Sequence, residues 1–268
     1  MKDKAPSYKK AKVASGFGET ARTIIYSVLI AVIIRTFAYE PFNIPSGSMI
    51  PTLLIGDYLF VSKFSYGYSR YSLPFGLPLI SGRIFYHLPQ RGDVVVFKLP
   101  SDNSTDYIKR VIGLPGDRIQ ITNGTVYVND VPVKRVRIEN YIEREGGRSE
   151  PREQYRETLP DNHGSFDSGR NHPILLFNPT GAVENTGVFT VPPDHFFMMG
   201  DNRDNSSDSR VNGCGVGMVP KENLVGRAEF IFFSTDGSAD WWQVWKWPFA
   251  IRYSRLFRAI DSDDGKGS

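Results

Sequence analysis

Residues 117–133, DRIQITNGTVYVNDVPV, decide the fold class because polar and apolar side chains alternate through them on both sides of Asn123-Gly124. Alternation with period two places one face of a strand on a core, and Asn-Gly is the strongest short signal for a hairpin. Other runs typical of strands lie at 57–64, 92–100, 195–200 and 224–234. The sequence therefore predicts a mainly β fold.

Length, charge and cysteine content exclude several classes of protein. The chain has 268 residues, a net charge of +3 and 13% aromatic residues. That length suits one large domain or two modest ones with a real core. No basic stripe with interleaved aromatic residues runs through the chain, so no nucleic-acid partner is predicted. Cys214 is the single cysteine, which excludes an internal disulfide and a CxxC ligand set.

The first forty residues combine a basic leader with a long apolar run. Residues 1–22 contain five lysines, and the run from Ile24 to Ile34 then continues to Phe42 with an interruption at Arg35. A core helix would not need the leader, and a cleaved signal peptide would need a small-residue cleavage site that TFAYEPF does not offer. Residues 23–42 reach the roughly 20 residues that a transmembrane helix needs. The pattern predicts a single-pass anchor with residues 1–22 in the cytoplasm.

Three stretches depart from the strand pattern. Residues 143–172 are polar, charged and rich in turn formers, which indicates a surface insertion or part of a second lobe. Residues 241–260 place aromatic side chains beside basic ones, and both a packed terminal segment and a surface resting on a bilayer fit them. Residues 261–268 are predicted to be a disordered tail.

Residues 44–53, IPSGSMIPTL, raise the question of a serine nucleophile. A serine hydroxyl needs a base within hydrogen-bond reach. None of the four histidines lies in a setting typical of a Ser-His-Asp site. A lysine becomes a base when burial lowers its pKa, and Lys109 lies in the apolar extended run DYIKRVIG. From position alone, the alternative is an edge-strand lysine that prevents aggregation.

Residues 200–210, GDNRDNSSDSR, contain three aspartates and raise the alternative of a calcium loop. The EF-hand spacing and its closing glutamate are missing. A plain polar turn is the other structural interpretation, and no metal site is predicted.

Four blocks follow the apolar run in a fixed order. They are EPFNIPSGSMIPTLLIGDYLFVSKFSYG at 40–67, GDVVVFKLP at 92–100, DYIKRVIGLPGD at 106–117 and MMGDNRDNSSDSR at 198–210. Together they resemble bacterial signal peptidase I, a membrane-bound serine-lysine endopeptidase. The resemblance implies an antiparallel β catalytic domain with an inserted lobe behind a transmembrane helix. The corresponding limits are 43–120 and 190–260 for the catalytic domain, 121–189 for the lobe and 23–42 for the helix.

The same resemblance implies the roles of individual residues. Ser48 would be the nucleophile and Lys109 the general base, with Ser206 hydrogen-bonded to Lys109. The Ser46 hydroxyl and the Ser48 backbone N–H would form the oxyanion hole. Four charged residues would hold the site together through ion pairs, namely Asp201, Asp208, Arg210 and Arg110. Shallow pockets for small side chains would be lined by Phe42, Ile44, Pro45, Leu53, Tyr107 and Ile108.

The implied substrate is the signal peptide of an exported preprotein, bound in an extended form, with no cofactor. The implied location is the bacterial inner membrane, with the catalytic domain on the periplasmic side and near the secretion translocon. One alternative is a serine-lysine peptidase of the self-cleaving repressor type, although no DNA-binding domain fits before Ser48. The other is a membrane-anchored β-rich binding module with an inactive peptidase site.

Overall fold

The computed structural model describes residues 17–73, 76–145, 148–177, 183–211, 215–240 and 242–260. Most of the predicted basic segment at 1–22, the predicted tail at 261–268 and Cys214 lie outside these ranges.

The chain enters through one long helix, α1, which covers Phe17–Phe37. Gly18–Phe37 is long and apolar enough to cross a membrane, with a mean hydropathy of 1.5, and 6% of it is buried. An apolar helix that packs on almost no protein fits the predicted anchor.

The bounds of α1 differ from the predicted anchor at residues 23–42. The helix begins before Thr23, and the last residues of the predicted span form strand β1, Tyr39–Asn43. Pro41 cannot donate to a helical ladder, and β1 instead pairs with the strand at Asp57–Ser62. Arg35 lies in the last turn of α1, where its side chain binds Glu40 with Nη2 and Oε1 2.7 Å apart.

The main sheet has eight antiparallel strands, which confirms the mainly β class. Along it stand β1, β2 (Asp57–Ser62), β18 (Leu224–Ser234), β5 (Val94–Lys98), β6 (Asp106–Gly113), β16 (His195–Met199) and β17 (Val219–Pro220), while β19 (Arg258–Ala259) pairs with β18.

Strand β5 shows why this sheet has continuous apolar runs rather than strict alternation. Val94 and Val96 belong to one buried cluster, and Val95 and Phe97 belong to another. Successive side chains of a strand point to opposite faces. Both faces of the sheet are therefore covered at β5, and β6 beside it carries Lys109 into the same buried layer.

The smaller lobe lies between β6 and β16 in the chain. One of its sheets has the order β15 (Phe189–Thr190), β7 (Arg118–Thr122), β8 (Thr125–Val128) and β9 (Val131–Pro132). A second joins β10 (Lys134–Arg137), β13 (Gln154–Leu159) and β14 (Arg170–Leu175), and β11 (Tyr141–Glu145) pairs with β12 (Arg148–Arg152). Short elements elsewhere are β3 (Tyr68–Ser69), β4 (Arg83–Ile84) and helix α2 (Trp247–Ala250).

The hairpin predicted at Asn123-Gly124 is present between β7 and β8. Both turn residues have positive φ, 49° and 71°, as a type I′ turn requires. The predicted limits of the lobe, 121–189, cut through β7 and β15, whose first and last residues are Arg118 and Thr190. The apolar alternation begins before the turn, so the sheet begins there as well. The lobe packs through Ile119 against Phe197 of the main sheet.

Gly226 lies where β18 crosses β2, and crowding there generates a test of the fold. A Cβ at this position would lie 2.4 Å from the Ser62 carbonyl oxygen and 2.8 Å from Val61 Cγ1. We expect Gly226→Ala to lower the free energy of unfolding by about 2 kcal/mol, because backbone must move. Chemical denaturation of the full chain in detergent measures it. Gly187→Ala is the matched control, since no described atom lies within 4 Å of its Cβ; equal stability of the two variants would contradict the argument.

Candidate active site

The loop after β1 holds Ser48 in a fixed orientation. Gly47–Met49 forms a single 3-10 turn, and Ser48 within it is buried. Asn202 donates from its backbone N–H to the Ser48 carbonyl oxygen at 3.1 Å and from Nδ2 to the Gly47 carbonyl oxygen at 3.0 Å. Because both carbonyl groups are bound, the direction in which the Ser48 hydroxyl projects is set by the backbone.

Lys109 reaches this hydroxyl from β6. Its side chain is 3% exposed, and Nζ donates to Ser48 Oγ at 2.6 Å and to the Ile108 carbonyl oxygen at 3.1 Å. Burial lowers the pKa of the Lys109 ammonium to about 8, against the opposing effect of Asp208 and Asp201. A neutral amine is therefore accessible near neutral pH, and it can accept a proton from Ser48.

The alternative of an edge-strand lysine is wrong. Lys109 pairs with Val95 of β5, the next residue, Arg110, pairs with Met199 of β16, and the Lys109 side chain is buried. A lysine that prevents aggregation would stand on an open edge.

Arg110 and Asp201 form a buried ion pair next to the lysine. Arg110 Nε and Nη2 bind Asp201 Oδ1 and Oδ2 at 2.8 and 2.7 Å, and Thr52 Oγ1 donates to Oδ2 at 2.5 Å. Burial alone raises the pKa of the Asp201 carboxyl, but the Arg110 guanidinium outweighs it and holds this pKa below its usual value. The carboxylate is therefore charged, and it anchors the residue before Asn202.

Asp208 and Arg210 form a second buried pair that closes the 200–210 segment on itself. Arg210 Nε and Nη2 each lie 2.9 Å from an Asp208 oxygen, and the Gly200 N–H donates to Oδ2 at 3.1 Å. Arg210 also binds Glu184 Oε1 at 2.5 Å. Burial raises the pKa of the Asp208 carboxyl, but the Arg210 charge lowers it more. Since Asp201 and Asp208 each bind an arginine, these contacts do not support the calcium-loop alternative.

Ser206 does not make the bond expected of it. It is buried, but its Oγ has no hydrogen-bond partner among the residues that the structure describes. The hydrogen bonds of Lys109 Nζ go to Ser48 and Ile108 instead. Ser206 still lies next to the Ser48 loop, because a Cβ on Gly200 would be 2.3 Å from Ser206 Oγ and 2.5 Å from the Ser48 carbonyl oxygen.

A cleft of about 390 Å³ opens beside Ser48 and Lys109. Ser46, which is exposed immediately before the 3-10 turn, lies on its wall. Its lining also includes five of the six residues expected in the pockets, namely Phe42, Ile44, Pro45, Tyr107 and Ile108. The prediction that Leu53 lines a pocket is wrong, because Leu53 is fully buried in the core with Met49 and does not line the cleft. An apolar residue of a core and one of a pocket look alike in sequence.

Two residues that hold the site were not predicted. Asn202 binds the Ser48 loop, and Thr52 binds Asp201. Asn202 lies inside a block that resembles the family, but a single amide between Asp201 and Arg203 has no spacing that singles it out. The four histidines, at 87, 163, 172 and 195, make no hydrogen bond to Ser48 among the bonds described for this site.

The chain matches the family model described as signal peptidase, peptidase S26, over residues 17–233. The chain belongs to this family. The signal peptidase I of Rickettsia typhi is 42% identical over 252 residues, which cover 89% of this chain and 92% of that protein. That of Rickettsia conorii is 43% identical and covers 89% and 91%. A solved signal peptidase I from Enterococcus faecalis aligns with 24% identity and a TM-score of 0.30, over 53% of this chain and 97% of that one.

Family membership makes this chain a serine endopeptidase.

Gly200 provides a test of how closely the 200–210 segment packs on the Ser48 loop. Because a Cβ there would meet Ser206 Oγ and the Ser48 carbonyl oxygen, Gly200→Ala must displace the Ser48 loop. A displacement of about 1 Å is expected to lower kcat/KM about 100-fold on a signal peptidase substrate. Gly187→Ala should cleave normally. Circular dichroism checks folding, and a folded Gly200→Ala enzyme with full activity would show that the loop is not held there.

Proposed function

We propose that this chain removes N-terminal signal peptides from exported preproteins, with Ser48 as nucleophile and Lys109 as general base. The observation that carries the proposal is the 2.6 Å contact between buried Lys109 Nζ and Ser48 Oγ, in a chain of the signal peptidase family. Serine activated by lysine is a variant of the serine-histidine-aspartate arrangement.

The reaction begins when the neutral Lys109 amine takes the proton of Ser48 Oγ as that oxygen attacks the carbonyl carbon. The tetrahedral intermediate collapses, and the Lys109 ammonium gives a proton to the amine of the departing mature protein. Ser48 then carries the signal peptide as an ester. Lys109 takes a proton from a water molecule as this water attacks the ester. The Lys109 ammonium then returns a proton to the departing Ser48 Oγ, which restores the free serine and releases the signal peptide with a new carboxylate.

The negative charge of the intermediate needs donors fixed in advance. Ser48 lies in the first turn of a short 3-10 helix, whose first N–H groups have no acceptor within the turn. The Ser48 N–H is therefore suited to the oxyanion. The Ser46 hydroxyl lies on the same wall of the cleft and is the proposed second donor.

The cleft fits an extended peptide with small side chains. Strand β1 is an edge strand of the main sheet, so the free edge of its backbone can pair with an extended substrate peptide. Ile44, Tyr107 and Ile108 line a shallow space near Ser48, which suits alanine-sized residues before the cut. Substrate residues on either side of the bond would extend along β1 and the start of β6.

The membrane location is supported by two separate surfaces. Helix α1 exposes apolar side chains along its length, and the 242–257 segment exposes Trp245, Phe249 and Phe257 at 66%, 85% and 76%. Such exposure favours the bilayer-facing interpretation of this segment over a packed terminal one. We place the amino terminus in the cytoplasm and the catalytic domain on the periplasmic face of the bacterial inner membrane, beside the translocon.

The binding-module alternative has less support. An inactive site would not need a buried lysine aimed at a buried serine, an arrangement that costs stability because the ammonium is desolvated. The repressor alternative lacks support too, since α1 has the composition of a membrane span.

Removal of either reacting group tests the proposal. We expect Ser48→Ala and Lys109→Met to lower kcat/KM for preprotein cleavage by at least about 10³-fold, because the two groups act as a unit. Methionine keeps the buried volume of the lysine stem. Lys134→Met, at an exposed position of β10, is the matched control and should keep full activity. A folded Lys109→Met enzyme that still cleaves would rule out Lys109 as the base.

The pH dependence of cleavage follows from the lowered pKa of Lys109. Only the neutral amine can act as the base, so kcat/KM should rise with pH and level off above a pKa of about 8. Below that value the rate should fall about tenfold for each pH unit. Steady-state kinetics between pH 6 and 10, with circular dichroism at each pH, measure it. A profile that is flat from pH 6 to 9 would mean that no group with this pKa limits the reaction.

A further inference from the structure

A second cleft, of about 710 Å³, adjoins the cleft beside Ser48. Phe42 of β1 and Asp106 of β6 line both clefts, so the two meet at these residues. Val32 and Thr36, near the end of α1, also line the second cleft. This space therefore joins the apolar helix to the cleft that contains Ser48.

Strands β1 and β6 run in the same direction along the two clefts. Each neighbour in the series β1, β2, β18, β5 and β6 is antiparallel to the one before it, so the first and last are parallel. In β1, Glu40 lines the second cleft, and Ile44, just past the strand, lines the first. In β6, Asp106 lines both clefts and Ile108 lines the first. A peptide parallel to these strands would place its upstream residues in the second cleft.

A signal peptide enters the enzyme from the membrane side. Its apolar stretch of about 7 to 15 residues precedes the cleavage site and favours lipid, so the residues before the cut leave the bilayer beside α1. In an extended chain the first, third and fifth residues before the cut share one face. If the first and third occupy the cleft beside Ser48, the fifth lies roughly 7 Å beyond the third, toward the second cleft.

The described lining of the second cleft carries more positive than negative charge. Its four cations are Arg35, Lys63, Arg70 and Lys98, and its two carboxylates are Glu40 and Asp106. A Glu40 oxygen lies 2.7 Å from Arg35 Nη2, and the other lies 2.8 Å from Lys63 Nζ. Lys98 Nζ lies 2.9 Å from Asp106 Oδ1. Both carboxylates are therefore already paired with cations of the cleft.

Arg70 is the cation of this cleft that forms no ion pair with a carboxylate of the described residues. Its side chain is exposed, and its Nη2 donates to Tyr71 Oη. The guanidinium carbon lies 4.6 Å from the centroid of the Tyr71 ring, and Tyr71 Oη donates to Asn103 Oδ1 at 3.0 Å. All three residues line the cleft. The Arg70 charge is thus held at the wall of the cleft, where it can act on a bound peptide.

We propose that the second cleft binds the fifth residue before the cut and its upstream neighbours, and that Arg70 makes it select against basic side chains there. This inference rests on the proposed function. A lysine at the fifth position would add a positive charge beside Arg70, whereas a glutamate would pair with it. The chain would therefore recognise the absence of positive charge before the cut as well as the small side chains next to it.

Cleavage of three preproteins that differ only at the fifth residue before the cut, as Ala, Glu or Lys, tests the inference. For the full chain in a maltoside detergent we expect kcat/KM to be about tenfold higher for the Glu than for the Lys substrate. High salt should reduce this ratio, because the charges are partly exposed. Arg70→Glu should abolish or reverse the preference, and Arg70→Lys should keep it.

Arg118→Glu is the matched control. It makes the same charge change at an exposed arginine that is paired with Asp130 and lines neither cleft, so the preference should remain. A second pair of substrates carries Glu or Lys at the fifth residue after the cut. Their ratio of kcat/KM should not change in Arg70→Glu, because that part of the chain lies away from the second cleft.

The outcomes separate this inference from the proposed function. Equal kcat/KM for the Glu and Lys substrates, with normal cleavage of the Ala substrate, overturns the inference alone. An unchanged ratio in Arg70→Glu, or an equal change in Arg118→Glu, also overturns it. If the folded wild type cleaves none of the three substrates, the proposed function fails and this inference fails with it. If Arg70→Glu does not fold, Arg70→Gln decides, because it removes the charge and should weaken the preference.

Discussion

The burial of Lys109 is the constraint on which the catalytic region depends. An ammonium group excluded from water loses hydration that its hydrogen bonds to Ser48 and Ile108 do not fully replace. Lys109 stays buried despite this lost hydration because β6 lies inside the main sheet, where pairing with β5 and β16 fixes its position. A lysine on a flexible loop would turn toward solvent and regain its ordinary basicity. The proposed chemistry therefore needs the sheet as much as it needs the amine.

The charges around Lys109 show how the lowered pKa persists. Asp208 and Asp201 alone would favour the ammonium, and two unpaired carboxylates nearby would keep the lysine protonated. Arg210 binds Asp208 and Arg110 binds Asp201, each through two hydrogen bonds. The positive charge of each arginine therefore offsets most of the effect of its carboxylate on Lys109. Desolvation is then the largest influence on the pKa of Lys109, and it lowers that pKa. The two ion pairs fix the geometry of the site. They also prevent Asp201 and Asp208 from raising the pKa of Lys109 back to its ordinary value.

Sequence patterns predicted the parts of this protein that local rules determine. The alternation around Asn123-Gly124 predicted the hairpin. The pairing of Ser48 with Lys109 was predicted only through the family resemblance that four blocks carry. The end of α1 was missed because Arg35 can either snorkel from a span or, as here, bind Glu40 beyond the helix. The prediction that Leu53 lines the pocket was wrong, because an apolar side chain suits a core and a pocket equally well in the sequence. Asn202 was missed because its role depends on distances between segments remote in sequence.

The inserted lobe supports the 200–210 segment through contacts that no pattern in the lobe's own sequence predicts. Glu157 of β13 forms a buried ion pair with Arg203, the neighbour of Asn202. The backbone N–H of Leu175 in β14 donates to the Asp201 carbonyl oxygen at 2.9 Å, and Glu184 binds Arg210. All three contacts fall on the 200–210 segment, which in turn holds the Ser48 loop. The lobe therefore supports the Ser48 loop through the 200–210 segment, although it lies far from Ser48 in the sequence.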